Sequence, residues 1–405
     1  MSDVHVPKGT RVQLGVVDGN LEVEKNTKIL ADGTLRVSGA VRFTGDCDIA
    51  GNVECRSFLS HDGRIRVAGD LTVAEDLESD DGELEITGAF RAREVDVDRR
   101  LTLGGPATVE TIEVGGRLEG ASSLTAKEVS VGGKFVLAGK IEAQSVEAGG
   151  SVELGEVSIE DLDVGGTVRI QSGVVRHRIH VGGQFTSDGP ITFASFEVGG
   201  FAEFRDTAQG GDIEVGGVLH ARKDLVFDRL EIGGMGDIAG SAKGRSVEIG
   251  GKFSVGTTLD LTEQLEVGGL ITVGGALHAG GVEVGGKLTA ERAIITGGVE
   301  IGGVVTTQSG LKAKRIELGH QSRAKGPLIG GRVELSRGAR VEDVYGDEVD
   351  VDRKCEVRRI VARSVRIREG STVGEVVFSG TYVADSGVTV ASGPRKVDTL
   401  PPFPL

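Results

Sequence analysis

Along most of the chain, aliphatic and polar residues alternate over only three to five positions, and many of these stretches end in two glycines. Ile112-Glu113-Val114-Gly115-Gly116 is the first clear instance, and Val129-Ser130-Val131-Gly132-Gly133 repeats it. The first glycine then recurs at 149, 165, 182, 199, 216, 233, 250, 268, 285 and 302, at intervals of 16 to 18 residues and mostly 17. Alternation with period two is a strand signal: it puts the aliphatic pair on one face and the polar residue on the other. Strands this short cannot bury their apolar side alone. Stacking one repeat on the next turns each phase into a continuous aliphatic column, the logic of a solenoid. The pattern therefore predicts an all-β fold, a single-stranded parallel β-helix of about 17 residues per coil. Each coil has room for three short strands and a triangular section.

Core positions follow from the phase. Val129, Val146, Ile179, Phe196, Ile213 and Val247 occupy one inward slot, and Val131, Ala148, Val181, Val198, Val215 and Ile249 the slot two residues on. Leu118, Phe135, Phe185, Leu219, Phe253 and Leu288, three residues after the first glycine, begin the next inward-facing strand. The glycines fall at a corner, where two demands would select them: a positive φ, and close approach of stacked backbones.

The register outlasts the glycines. Leu318-Gly319-His320, Val333-Glu334-Leu335, Val349-Asp350-Val351 and Val365-Arg366-Ile367 keep phase, and Val95-Asp96-Val97 sits one period before the first Gly-Gly. Residues 1–94 carry similar units at looser spacing, such as Leu35-Arg36-Val37-Ser38-Gly39 and Ile65-Arg66-Val67-Ala68-Gly69. Three sections are expected: an irregular β-helical section over 1–94, a regular one over 95–390, and a Pro-rich tail or cap over 391–405. Leu400-Pro401-Pro402-Phe403-Pro404 cannot continue a ladder.

Composition supports the solenoid. Gly is 66 of 405 residues, Trp is absent and aromatics are 4 %, whereas a conventional globular core of this size would use more large side chains. The formal charge of −15 argues against nucleic acid and against attachment to anionic lipid, both of which need a basic stripe. Cys47, Cys55 and Cys355 make no disulfide framework and suit a reducing compartment, with Cys47 and Cys55 read as small buried apolar residues. Met1-Ser2-Asp3-Val4-His5 lacks the basic start and apolar run of a signal peptide, and no stretch reaches membrane-span length. A cytoplasmic location with no direct membrane anchor is expected.

No catalytic, cofactor or metal site emerges, and the chain is read as not an enzyme. Gly281-Val282-Glu283-Val284-Gly285-Gly286-Lys287-Leu288 approaches a phosphate loop but lacks the Ser or Thr for Mg²⁺, and no helix follows. The same Gly-Gly-Lys recurs at Lys134 and Lys252, as a corner would. His180 fills an outward strand slot between Ile179 and Val181 and reads as an exposed histidine. Glu113, Glu214, Glu231, Glu248, Glu266, Glu283, Glu300 and Glu317 recur in one outward slot, with Asp163 and Glu197 as further members. A glycosidase needs two special carboxylates in a cleft, whereas this regular line reads as a solvated face that resists sideways association. Binding of divalent cations or a basic partner along it is a secondary reading.

The uninterrupted coil of Val, Ile and Gly, in motifs such as Val284-Gly285-Gly286-Lys287-Leu288-Thr289-Ala290, resembles the bactofilins, with the archaeal halofilins as relatives. The resemblance covers roughly 20 to 390. It implies a right-handed triangular β-helix that polymerises end to end into filaments without nucleotide, a cytoskeletal scaffold for cell shape or for positioning envelope proteins. The implied partners are the chain itself and other cytoskeletal or envelope proteins, with any membrane association made through a partner. The chain departs from the family in its greater length and in lacking an evident N-terminal membrane-targeting tail. The alternative is a non-polymerising β-helical protein-binding rod or an adhesin-like scaffold.

Overall fold

The computed structural model describes residues 3–404; Met1, Ser2 and Leu405, the extremes of the N-terminal section and the tail, lie outside the described residues. The described residues contain no helix and form a parallel β-solenoid of about 23 turns with about 17 residues per turn, as the repeat requires. The chain divides into two compact units, Met1–Gly200 and Phe201–Leu405.

In the first unit each regular coil contributes three strands. Thr111–Val114, Arg117–Gly120 and Leu124–Thr125 make one turn and define faces A, B and C. All three pair in parallel with the next coil: Ile112 lies opposite Val129, Leu118 opposite Phe135 and Leu124 opposite Ile141. Alternation decides which side chains turn inward. Ile112, Val129, Val146, Leu162, Ile179 and Phe196 stack as one column and are all buried. Each such side chain contributes roughly 1.5–3 kcal/mol of burial.

The second unit repeats this plan with Asp212–Val215, Val218–Ala221 and Leu225–Val226 on faces A, B and C. Its face A column runs Ile213, Leu230, Val247, Leu265, Val282, Val299, Ile316, Val333, Val349 and Val365, all buried. The core positions expected from phase are therefore in place.

Coil length varies more than the spacing of glycine pairs suggests. In the first unit Thr27 faces Cys47, twenty residues on, and Phe58 faces Leu77, nineteen on. Late in the second unit Arg340 faces Glu356 and Glu356 faces Thr372, sixteen on. At several corners between faces A and B that lack the glycine pair one residue is left-handed, though at Asp98-Arg99, on which Gly115-Gly116 stacks, none is. Asn26 (φ 57°), Asp62 (61°) and Asp81 (50°) are such residues in the first unit, as are Gln321 (56°), Gly338 (77°), Lys354 (59°) and Gly370 (74°) in the second.

The Gly-Gly corners are built differently. None of their glycines has a left-handed φ, so the expectation of positive φ fails there. Close stacking is the physical reason. A Cβ on Gly149 would lie 2.6 Å from the carbonyl oxygen of Gly132, and one on Gly302 would lie 2.7 Å from that of Gly285. These contacts are backbone against backbone, so no side chain can swing aside. A two-residue corner stacked directly on another leaves no room for a Cβ.

Candidate functional site

Face A of the second unit carries the most regular surface feature. Glu214, Glu231, Glu248, Glu266, Glu283, Glu300, Glu317, Glu334 and Asp350 lie opposite one another in unbroken register. Strand spacing sets neighbours about 4.8 Å apart. In the corresponding column of the first unit the order is Glu113, Ser130, Glu147, Asp163, His180, Glu197, so the line is interrupted there by Ser130 and His180. Upstream, Asp96 pairs with Glu113, and burial, with the charges of Glu113, Asp98 and Asp80, pushes its carboxyl above the ordinary value.

Arginines offset both ends of the nine-carboxylate ladder, Arg332 lying 2.6 Å from Glu334 and Arg368 3.9 Å from Asp350 at one of them. Arg229 donates to Glu231 at 2.9 Å and Glu248 at 3.2 Å, and Arg315 sits 3.2 Å from Glu317 and 3.3 Å from Glu334. Between them, the slot two residues before each carboxylate holds Gln264, Gly281 and Gly298. Among the described residues, no Lys, Arg or His lies within ion-pair distance of Glu266, Glu283 or Glu300.

Five of the seven histidines lie against carboxylates of neighbouring coils. His180 lies 3.0 Å from Asp163 and 3.9 Å from Glu197, His278 2.5 Å from Asp260, His177 3.5 Å from Asp161, and His61 3.4 Å from Asp80. His220 instead meets the Phe201 ring edge-on, with centroids 5.4 Å apart. No group of three or more His, Cys, Asp or Glu among the described residues is arranged to hold a metal ion. Cys47, Cys55 and Cys355 are free and buried, and burial pushes the thiols of Cys47 and Cys55 up to about 12. The near-phosphate-loop at Gly281–Leu288 lies on a face A strand and a glycine corner like its neighbours.

The terminal coils differ from all others in having a ladder partner on one side only. In the first unit Val4–Val6 pairs with Leu21–Val23, and Arg11–Val17 pairs with residues 28–37, with no described strand beyond them. The inward residues Val4, Val12 and Leu14 are only half-buried, while Val6 and Val17 of the same coil are buried. In the second unit the last coil pairs back onto residues 364–378 and onto nothing further among the described residues. Tyr382 continues the inward column after Val365 and stacks on Phe378 with centroids 5.5 Å apart, and both are half-buried. Val388 and Val390 are half-buried as well. Among the described residues, each of these coils thus has backbone groups without a ladder partner beside apolar side chains that are only half-buried.

Sequence reasoning placed the carboxylate line but not the half-covered valines or the Phe378–Tyr382 stack at the coil ends. The one available signal was Val365-Arg366-Ile367 giving way, one coil later, to Tyr382-Val383-Ala384, where an aromatic takes the inward slot. No helix among the described residues is long and apolar enough to cross a membrane. Comparison with protein-family models, with curated proteins and with solved structures finds no match.

Proposed function

We propose that the chain is a structural, bactofilin-like scaffold that polymerises end to end without nucleotide. In this reading it is a cytoplasmic protein that supports cell shape or positions envelope proteins and makes no covalent chemistry. The observation that carries the reading is the state of the two terminal coils. A parallel ladder stops with unpaired N–H and C=O groups on each of three strands, and proteins normally cover such an edge. Here the edge surrounds half-buried Val4, Val12 and Leu14 in one unit and Phe378, Tyr382 and Val390 in the other. A terminal coil of a second copy would satisfy the backbone groups and cover the apolar residues together, as each internal coil does for its neighbour.

Sedimentation of the full chain without nucleotide tests this, with Val390→Lys as the comparison. Val390 sits on the last coil with one partner, Val373. A pelletable wild type and a largely soluble Val390→Lys variant is the expected pair of results. Equal solubility of both at every concentration would remove the proposal.

A second reading, a non-polymerising rod that docks partner proteins, draws on one specific observation: Glu266, Glu283 and Glu300 form an uncompensated carboxylate row that a basic segment would complement.

A further inference from the structure

Outward positions on the solenoid are mostly polar, and one run departs from this. On face C of the second unit Ile329, Tyr345, Val361 and Val377 lie opposite one another over four successive coils, next to the inward residues Leu328, Val344, Ile360 and Val376. Although they point outward, they are 5 %, 8 %, 0 % and 1 % exposed. The cover is the Pro-rich tail. Val397, Leu400 and Phe403 pack on this column, and the Phe403 ring lies 5.7 Å from that of Tyr345. The tail is not a further rung: Val397 makes the last ladder-like bond, its N–H donating to the Phe378 carbonyl at 2.8 Å. Beyond it, no hydrogen bond ties residues 398–404 to the solenoid among the described residues, and the three apolar tail side chains remain half-exposed.

A four-coil apolar column spans about 14 Å at strand spacing, long enough to seat an extended Pro-rich peptide and too apolar to be left in water. Beyond Val397, side-chain contacts alone hold the tail, so it is exchangeable, and Pro401, Pro402 and Pro404 keep it extended and lower the ordering cost of docking it. From these features we infer that the column is a binding groove for a proline-rich, Phe-bearing peptide, and that it takes the 398–404 tail of a second copy in exchange for its own. The ligand that fits is the one already seated, and every copy carries it. Swung outward from Val397, seven residues at about 3.1 Å each reach roughly 20 Å, enough to enter a groove on a neighbouring chain. Such tail exchange would link copies through their sides, independently of the coil ends.

A complementation experiment on full chains tests this. A Leu400→Asp/Phe403→Asp chain keeps the groove and loses the tail as a ligand; a Val361→Asp chain keeps the tail and loses the groove. Because Val361 faces outward, the aspartate becomes solvated once the tail leaves; Tyr345→Lys serves the same purpose if Val361→Asp fails to fold, with folding checked by circular dichroism. Mixed, the two variants should associate at least about tenfold more tightly than two Leu400→Asp/Phe403→Asp chains, which share the same coil ends. A labelled peptide of residues 395–404 should bind the tail-disabled chain and compete with that association. Association no greater than in the control pair, or a peptide that binds the Val361→Asp chain equally well, would overturn the inference.

Discussion

Replacing Gly303 by Ala should open the solenoid locally, whereas the same change at Gly298, five residues earlier in the same coil, should be harmless. A Cβ on Gly298 would meet nothing within 4 Å, and its backbone is not left-handed. On Gly303 a Cβ would collide with the carbonyl oxygen of Gly286, closer even than the 2.7 Å found for Gly302 against Gly285. An ordinary carbon–oxygen contact needs about 3.3 Å, so more than half an ångström must be found by moving backbone. Neither side can yield freely, because Val299–Ile301 and Val304–Thr306 are both held in ladder register with the coil before. The oxygen in question accepts the Val304 N–H at 2.9 Å. Losing that bond costs about 1–3 kcal/mol and the residual strain about 1 kcal/mol, against a gain of about 0.4–1 kcal/mol from a stiffer unfolded chain. The net is about 2 kcal/mol, or roughly a 30-fold rise in the local opening constant. Native-state hydrogen exchange of amides 304–307 reads it directly. Gly298→Ala should leave their exchange unchanged, and equal protection in the two variants would refute close stacking as the reason for the glycine pairs.

Two further outcomes follow from the charges on face A. Asp96→Asn should stabilise the first unit at neutral pH: a carboxyl whose folded pKa is raised opposes folding when ionised. The gain should fade as pH falls through the carboxylate range, where both side chains are neutral, and urea midpoints at pH 7 and pH 3.5 would show it. Glu283→Gln removes one member of the uncompensated row; neighbouring charges about 4.8 Å apart repel by roughly 1 kcal/mol in water before screening. The variant should be more stable than wild type at low ionic strength and indistinguishable in 1 M salt, where the Debye length is about 3 Å; a difference that persists in salt would show that repulsion is not its cause.

Much of this fold was legible because a 17-residue phase repeats the same decision many times. Ile112, Val129 and Val146 each pointed inward on pattern alone, and stacking made the assignments mutually reinforcing. What escaped was local. The corner through Gln321, Gly338, Lys354 and Gly370 uses one left-handed residue per coil, and Gln and Lys give no turn signal at those positions. The glycine pairs were visible, but the reason for them lies between coils, in distances that a single repeat does not encode. Leu328-Ile329, Val344-Tyr345, Ile360-Val361 and Val376-Val377 did hold a signal, an extra apolar residue at period 16 in an outward slot. It had no meaning until the tail was seen lying on it. The half-covered coil ends were equally silent, since a valine at the end of a stack has the same pattern as one in its middle.

The most direct test of end-to-end assembly is electron microscopy of the purified full chain in negative stain, without nucleotide, at low and high salt. Long unbranched filaments thinner than about 50 Å are expected at both, a width set by a coil of three short strands, with lateral bundles appearing as salt screens the carboxylate ladder. Discrete particles of one length under every condition would contradict assembly through the terminal coils and leave the partner-docking rod as the reading to pursue.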